Sequence, residues 1–253
     1  MRTSRLASRF ASVVLSLALP VGAMAQQLTV SAAASLTDAF KEIGAKFEAS
    51  KPGATVRFNF AASGVLLQQI SQGAPVDVFA SADQETMDRA VTQKLIDTVT
   101  RRDFATNSLV LIEPAQGGAG LKALQDLTGP NVKKIAVGKT ATVPVGRYTR
   151  EALEAAKLWQ PLEPRFVQAD SVRQVLDYVS RGEAEAGFVY RTDAAVMGDK
   201  VRVVLTATGH TPVSYPIAVT AESKEKALAK DFIAFLSTDQ AHAVLMRLGF
   251  GKP

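Results

Sequence analysis

The sequence predicts an α/β protein of two lobes, each a mostly parallel sheet flanked by helices, joined by a two-strand hinge. Three observations carry this expectation. Short apolar runs of strand length alternate with segments of helical period along the whole chain, as in sheets connected by crossover helices. A strand end, a few small or stiff residues and a helix start recur at four places, two in each half. The strands 108–112 and 215–219 stand where a chain would cross from one half to the other and back. Two lobes on two strands make a hinge with a ligand cleft between them.

The first residues are of another kind. Arg2, Arg5 and Arg9 precede the apolar run Phe10 to Leu19, a break at Pro20-Val21-Gly22, and Ala23-Met24-Ala25. This is the three-part pattern of a secretory signal peptide, cut after Ala25. The competing reading is a buried N-terminal helix. The apolar run is too short to span a bilayer, and no other long apolar run follows. Cleavage leaves 228 of the 253 residues and removes three arginines and no acid, so the net charge falls from +5 to +2. The basicity belongs largely to the leader and does not argue for nucleic acid or an anionic membrane. There is no Cys, hence no disulfide, thiolate metal site or lipidated N-terminus. An exported chain without cysteine fits the bacterial periplasm.

Taken in order, the elements follow from pattern. Leu28-Thr29-Val30 opens a buried strand over 28–33. Leu36, Phe40, Ile43 and Phe47 then recur at helical spacing over 35–49. Ser35 with Asp38 three positions on has the form of an N-cap with an acidic partner. Lys51-Pro52-Gly53 is a turn, and 56–60 alternates as a strand. Ala61-Ala62-Ser63-Gly64 repeats the Ser35 geometry before a short helix with Val65, Leu66 and Ile70, closed by Gly73. A strand over 75–80 precedes a helix from Asp83 to Ile96. After strand 108–112, a loop at 116–120, a short helix over 121–127 and strand 135–138 follow. The stiff loop Thr142-Val143-Pro144-Val145-Gly146 leads to a helix over 147–158, with Trp159 at its end as a packing residue. Strand 165–168 runs into Asp170-Ser171-Val172 and a helix ended by Gly182. Strands 186–190, 201–205 and 215–219 complete the sheets, and helices over 226–236 and 239–248 close the chain. The expected division is 1–25 signal peptide, 26–107 with 217–253 as the first lobe, and 108–216 as the second.

The four helix starts lie at Ser35, Ser63, Val145-Gly146 and Ser171-Val172. If they face one cleft, each supplies N–H groups and a positive dipole end, and two add a hydroxyl. Tyr190, at a strand end, adds a further hydroxyl. Such a site is rich in donors and has no acceptor, so it favours a fully deprotonated oxyanion. For Ser35 alone, a plain helix cap is the competing reading. Arg147, Arg173 and Arg191 are placed to line the cleft mouth and steer anions; for Arg173 a solvated helix face is the stronger reading.

Other chemistries fit less well. His210 and His242 stand beside no serine motif, and a Ser-His-Asp hydrolase needs that contact. No G-x-S-x-G, P-loop or G-x-G-x-x-G is present. The pairs Glu183/Glu185 and Asp77/Asp83 read as surface or capping carboxylates.

The residues resemble the periplasmic molybdate-binding proteins of ABC transporters. The resemblance rests on Ala32-Ala33-Ala34-Ser35-Leu36-Thr37, Phe60-Ala61-Ala62-Ser63, the run from Gly73 to Asp83, Asn107-Ser108-Leu109-Val110, Val143-Pro144-Val145-Gly146, Val189-Tyr190 with Asp193-Ala194, and Gly249-Phe250. It covers the mature chain in order. It implies the type II periplasmic binding protein fold, closing on molybdate or tungstate through neutral hydrogen bonds. Carried over by motif, Ser35 and Ser63 act through hydroxyl and N–H, Val145 and Val172 through N–H, and Tyr190 through its hydroxyl. It implies no catalysis and no cofactor, a monomer, and delivery to an inner-membrane permease. Gly64, where many members have Ser or Thr, Val145, where some have Ala, and Arg191, where some have Gly, depart from the pattern. A sulfate or phosphate binder and, further off, an exported serine hydrolase using Ser35 or Ser63 are the alternatives.

Overall fold

The computed structural model describes residues 26–253; the expected signal peptide, 1–25, lies outside them. Two five-stranded sheets, each flanked by helices, form two lobes. In the first, β1 (Gln26–Ala33) lies between β2 (Ala54–Ala61) and β3 (Val78–Ala80), followed by β10 (Val213–Val219) and β4 (Arg102–Asn107). In the second, β6 (Ile135–Gly138) lies between β7 (Phe166–Ala169) and β8 (Ala186–Tyr190), followed by β5 (Leu109–Pro114) and β9 (Val201–Thr206). The two orders match strand for strand.

In each sheet four strands run one way and one is reversed: β10 in the first, β5 in the second. The reversed strand is in both cases the one that enters from the other lobe. The forward strands end at the cleft, so a chain that crosses the cleft must run away from it. The crossings are the short step from β4 to β5 at Ser108 and the return segment 207–212. All of β10, including 213–216, thus pairs in the first sheet, whereas the sequence division put those four residues with the second lobe. Strand β4 has no counterpart in the sequence reading. It is a polar edge strand, Arg-Asp-Phe-Ala-Thr-Asn, and only Phe104 and Ala105 are buried.

Helices cover both sheets. In the first lobe α1 (Thr37–Ser50) buries Phe40, Ile43 and Phe47, and α2 (Ser63–Ser71) buries Leu66, Leu67 and Ile70. Phe232 of α8 (Lys226–Phe235) meets Phe40 and Phe47 edge-on, with ring centroids 5.9 and 5.3 Å apart. Helix α3 (Gln84–Thr92) is capped by Asp83, whose carboxylate accepts from the Thr86 N–H at 3.2 Å. In the second lobe α4 (Pro144–Ala155) and α6 (Val172–Ser180) pack on β6 and β8; α6 buries Val172, Val175, Leu176 and Val179 as one stripe. Helix α4 begins at Pro144, three residues earlier than the sequence suggested, because Pro at the first position suits a helix start. Trp159 opens the short α5 (Trp159–Leu162) and packs on Phe166 at 4.6 Å. Helix α7 (Arg191–Val196) follows β8, and α9 (Asp239–Arg247) nears the end of the chain.

Candidate functional site

Register places the two serines side by side. Strands β1 and β2 pair in parallel from Gln26 opposite Ala54 to Ala33 opposite Ala61. Ser35 and Ser63 each follow two residues after that last pair, just past the ends of neighbouring strands that are spaced about 4.8 Å apart. Ala80 pairs with Ala32 on the other side of β1, which brings Ala82 to the same edge. In the second lobe Gly138 pairs with Ala169, and α4 and α6 start just beyond.

These edges meet. Ser35, Ser63, Val145, Val172 and Tyr190 line one small pocket, together with Ala33, Ala34, Ala62, Ala82, Val143 and Pro144. No lining side chain carries a charge. The five are 0 to 5 % exposed, and the space they leave is about 10 Å³, the room of one water-sized sphere. All five residues expected at the site meet here, and the alanines beside them, Ala82 included, are lining residues that the sequence motifs contain without marking as such.

Helix geometry leaves donors unused here. Ser63 and Val172 are the first residues of α2 and α6, and Val145 is the second of α4. Their N–H groups have no acceptor within the helix. Ser35 sits inside a 3-10 turn, Ala34–Leu36, that precedes α1. It is therefore not the N-cap that its spacing to Asp38 suggested. No side chain caps that turn or α1, and Asp38 instead accepts from Arg173 at 2.7 Å. Ser171 is a true cap, accepting from the Gln174 N–H at 3.2 Å.

Both serine hydroxyls accept a hydrogen bond from the protein. Ser63 Oγ takes the Ala82 N–H at 3.0 Å, and Ser35 Oγ takes the Tyr215 hydroxyl at 3.1 Å. Tyr190 donates to the Ala82 carbonyl at 3.5 Å, a long bond that leaves the hydroxyl free to turn. Burial holds the Tyr190 phenol well above its ordinary pKa, with Tyr215 and Tyr148 adding to the shift. Burial does the same for Tyr215, with the Asp193 carboxylate behind it. Both remain protonated donors.

The arginines do not face the pocket. Arg147 of the second lobe reaches Asp83 in the first, with Nε at 2.8 Å, and donates to Thr86 Oγ1 at 2.7 Å. Arg173 is not a solvated helix-face residue: it spans the lobes, with Asp38 on one side and Asp193 on the other. Its Nε lies 2.7 Å from Asp193 Oδ1, but the approach is poorly aligned for a hydrogen bond, so the attraction is Coulombic. Burial pushes the Asp193 carboxyl up to about 6, against the pull of Arg173. Arg191 is exposed and donates to Thr206. Asp83, read as a surface or cap carboxylate, is a cap but a buried one at the lobe contact. A third contact is made by backbone: Gly64 N–H donates to the Thr142 carbonyl at 2.9 Å. A Cβ on Gly64 would stand 2.7 Å from that oxygen, so only glycine permits this approach.

Both histidines lie apart from the serines. His210, in the return crossing, has its ring nitrogens 2.7 and 3.2 Å from the carbonyl oxygens of Thr211 and Ala207, and His242 is on α9. Among the described residues no group of three or more His, Asp or Glu side chains is placed to hold a metal ion.

Two lobes with matched topology, closing on a pocket of neutral donors, define a binding protein. The chain belongs to the bacterial extracellular solute-binding proteins, whose family pattern matches residues 28–251. Within that class it belongs with the molybdate-binding proteins. It is 40 % identical to the molybdate-binding protein ModA of Escherichia coli K12, over 95 % of this chain and 96 % of that one. It is 35 % identical to ModA of Haemophilus influenzae over 90 % and 91 %. The periplasmic molybdate-binding protein of Azotobacter vinelandii superimposes with a TM-score of 0.77 at 25 % identity, covering 89 % of this chain and 99 % of that one.

Proposed function

We propose that this protein captures molybdate, and tungstate with it, in the periplasm and delivers it to an inner-membrane ABC permease. The observation that carries this is the single pocket in which five donor residues converge with no charged side chain. Ser35 and Ser63 serve through hydroxyl and N–H, Val145 and Val172 through N–H, and Tyr190 through its hydroxyl. The oxyanion needs more room than the pocket offers here, so the lobes part slightly around it. Its charge is met by helix-start dipoles and aligned N–H groups, while Arg147 and Arg173 serve the lobe contacts. The chain works as a monomer without cofactor, after loss of residues 1–25, and performs no catalysis. His210 and His242 hydrogen-bond neither Ser35 nor Ser63 among the described contacts, which speaks against a serine hydrolase.

Sulfate is discriminated against by cavity size and hydrogen phosphate by its proton, which no pocket group can accept without stranding a buried donor. Calorimetric titration of the mature chain with molybdate, tungstate, sulfate and phosphate tests the reading. Tight binding of the first two is expected; equal or tighter binding of sulfate or phosphate would replace molybdate with that anion.

A further inference from the structure

Behind Ser35 stands a chain of hydrogen bonds that runs from Asn107 through Tyr215 to the pocket. It starts at Asn107, the last residue of β4, where the polypeptide steps between lobes. Asn107 Oδ1 accepts the Ser108 N–H at 2.9 Å, which fixes the amide so that Nδ2 faces the other way. Nδ2 has two hydrogens and two oxygens to meet: Thr192 Oγ1 of α7 at 2.9 Å and Tyr215 Oη at 3.2 Å. Tyr215, having accepted from Asn107, gives its only hydrogen to Ser35 Oγ at 3.1 Å. Ser35 then has one hydrogen left, and no described group accepts it. The pocket is the place it can go.

We propose that Asn107 and Tyr215 are positioning residues that force Ser35 to act as a donor toward the bound oxyanion, and so help the site reject a ligand that brings its own proton. This rests on the oxyanion reading above. The same logic holds at Ser63, whose Oγ is taken by the Ala82 N–H. A ligand O–H directed at either serine would use the remaining lone pair but strand the serine's own buried hydrogen, which is costly. A fully deprotonated oxygen satisfies it. Tyr215 is fully buried and Ser35 is its acceptor, so the relay does not depend on solvent. Through Thr192 the amide also touches the second lobe, but Asn107, Tyr215 and Ser35 all belong to the first, so the relay to Ser35 keeps its partners when the lobes part around the anion.

The test is a cycle of Tyr215→Phe, Ser35→Ala and the double variant, titrated with molybdate and with hydrogen phosphate, with melting midpoints to confirm folding. Tyr215→Phe keeps the ring and its edge-on contact with Tyr190 at 5.9 Å and removes the donor. It is expected to weaken molybdate about tenfold, the scale of one hydrogen bond to a charged partner, and to narrow the preference for molybdate over hydrogen phosphate. In the Ser35→Ala background the same change should cost nothing further. Asn107→Asp, which turns a donor into an acceptor at constant size, should weaken molybdate at least as much. Unchanged affinity in Tyr215→Phe, or an equal loss with and without the Ser35 hydroxyl, would overturn the relay while leaving the function intact. Wild-type protein that binds none of the four anions would overturn the oxyanion reading and the relay with it.

Discussion

The two lobes share a sheet order and a single reversed strand, yet they bring opposite chemistry to the cleft. At matching helix starts the first lobe offers hydroxyls as well as N–H groups, at Ser35 and Ser63, and the second offers backbone N–H, at Val145 and Val172, its one hydroxyl coming from Tyr190 at a strand end. Across the same boundary the first lobe holds the acids, Asp38 and Asp83, and the second the arginines, Arg173 and Arg147. Each arginine follows within two residues of a pocket valine and turns away from the pocket. The topology sets where helices start, and the residue types decide which helix starts add a side chain to their N–H groups and where the charges go.

The sharpest way to break this picture is at two glycines. Gly146 packs α4 on β6 within the second lobe, and a Cβ there would lie 2.0 Å from the Gly138 carbonyl oxygen. Gly146→Ala should destabilise the ligand-free protein by about 3 kcal/mol, a fall of about 6–12 °C in the melting midpoint. Gly64 meets the other lobe instead, so Gly64→Ala should leave that midpoint near native and weaken molybdate at least about tenfold by obstructing closure. If both variants melt alike, the division between packing and closure fails.

Asp193, a fully buried acid of the second lobe, should be visible in stability against pH. Its carboxyl titrates near 6 in the fold and near 3.9 in an unfolded chain. Over that interval the folded protein holds a proton that the unfolded chain has lost. The group's contribution is fully present below about pH 4 and disappears as pH rises through 6, about 3 kcal/mol in all. Denaturant titrations of Asp193→Asn should show a flatter profile between pH 4 and 6; an unchanged slope would assign the effect elsewhere.

Side-chain and backbone recognition separate next. Ser35→Ala and Ser63→Ala should each cost about 1.5–3 kcal/mol in molybdate affinity, the scale of a bond to a charged partner. Val145→Ala and Val172→Ala keep their N–H groups and should cost less than about 1 kcal/mol. Calorimetry on the four variants would show lobe-specific losses, and comparable losses in all four would contradict them.

How much of this could be read in advance depended on distance along the chain. The strand-to-helix pattern is local, so the two-lobed fold, the helix starts and the residues that line the pocket were legible in short motifs. The cap assigned to Ser35 failed because a 3-10 turn and an N-cap share the same small polar residues; only the partner of Oγ separates them. That partner, Tyr215, is 180 residues away, and Arg147 and Asp83 are 64 apart. Nothing in the spacing of Tyr215-Pro216 announces a role beside a serine. Strand β4 escaped because an edge strand with four polar residues lacks the apolar run that marks its neighbours.

The most direct measurement is a crystal structure of the mature protein grown with molybdate. The account predicts one tetrahedral anion between the lobes. Its oxygens would lie within hydrogen-bond reach of Ser35 Oγ, Ser63 Oγ, Tyr190 Oη and the N–H groups of Val145 and Val172, with Arg147 and Arg173 still on Asp83 and Asp38. An anion held instead by either arginine, or seated outside this pocket, would contradict it.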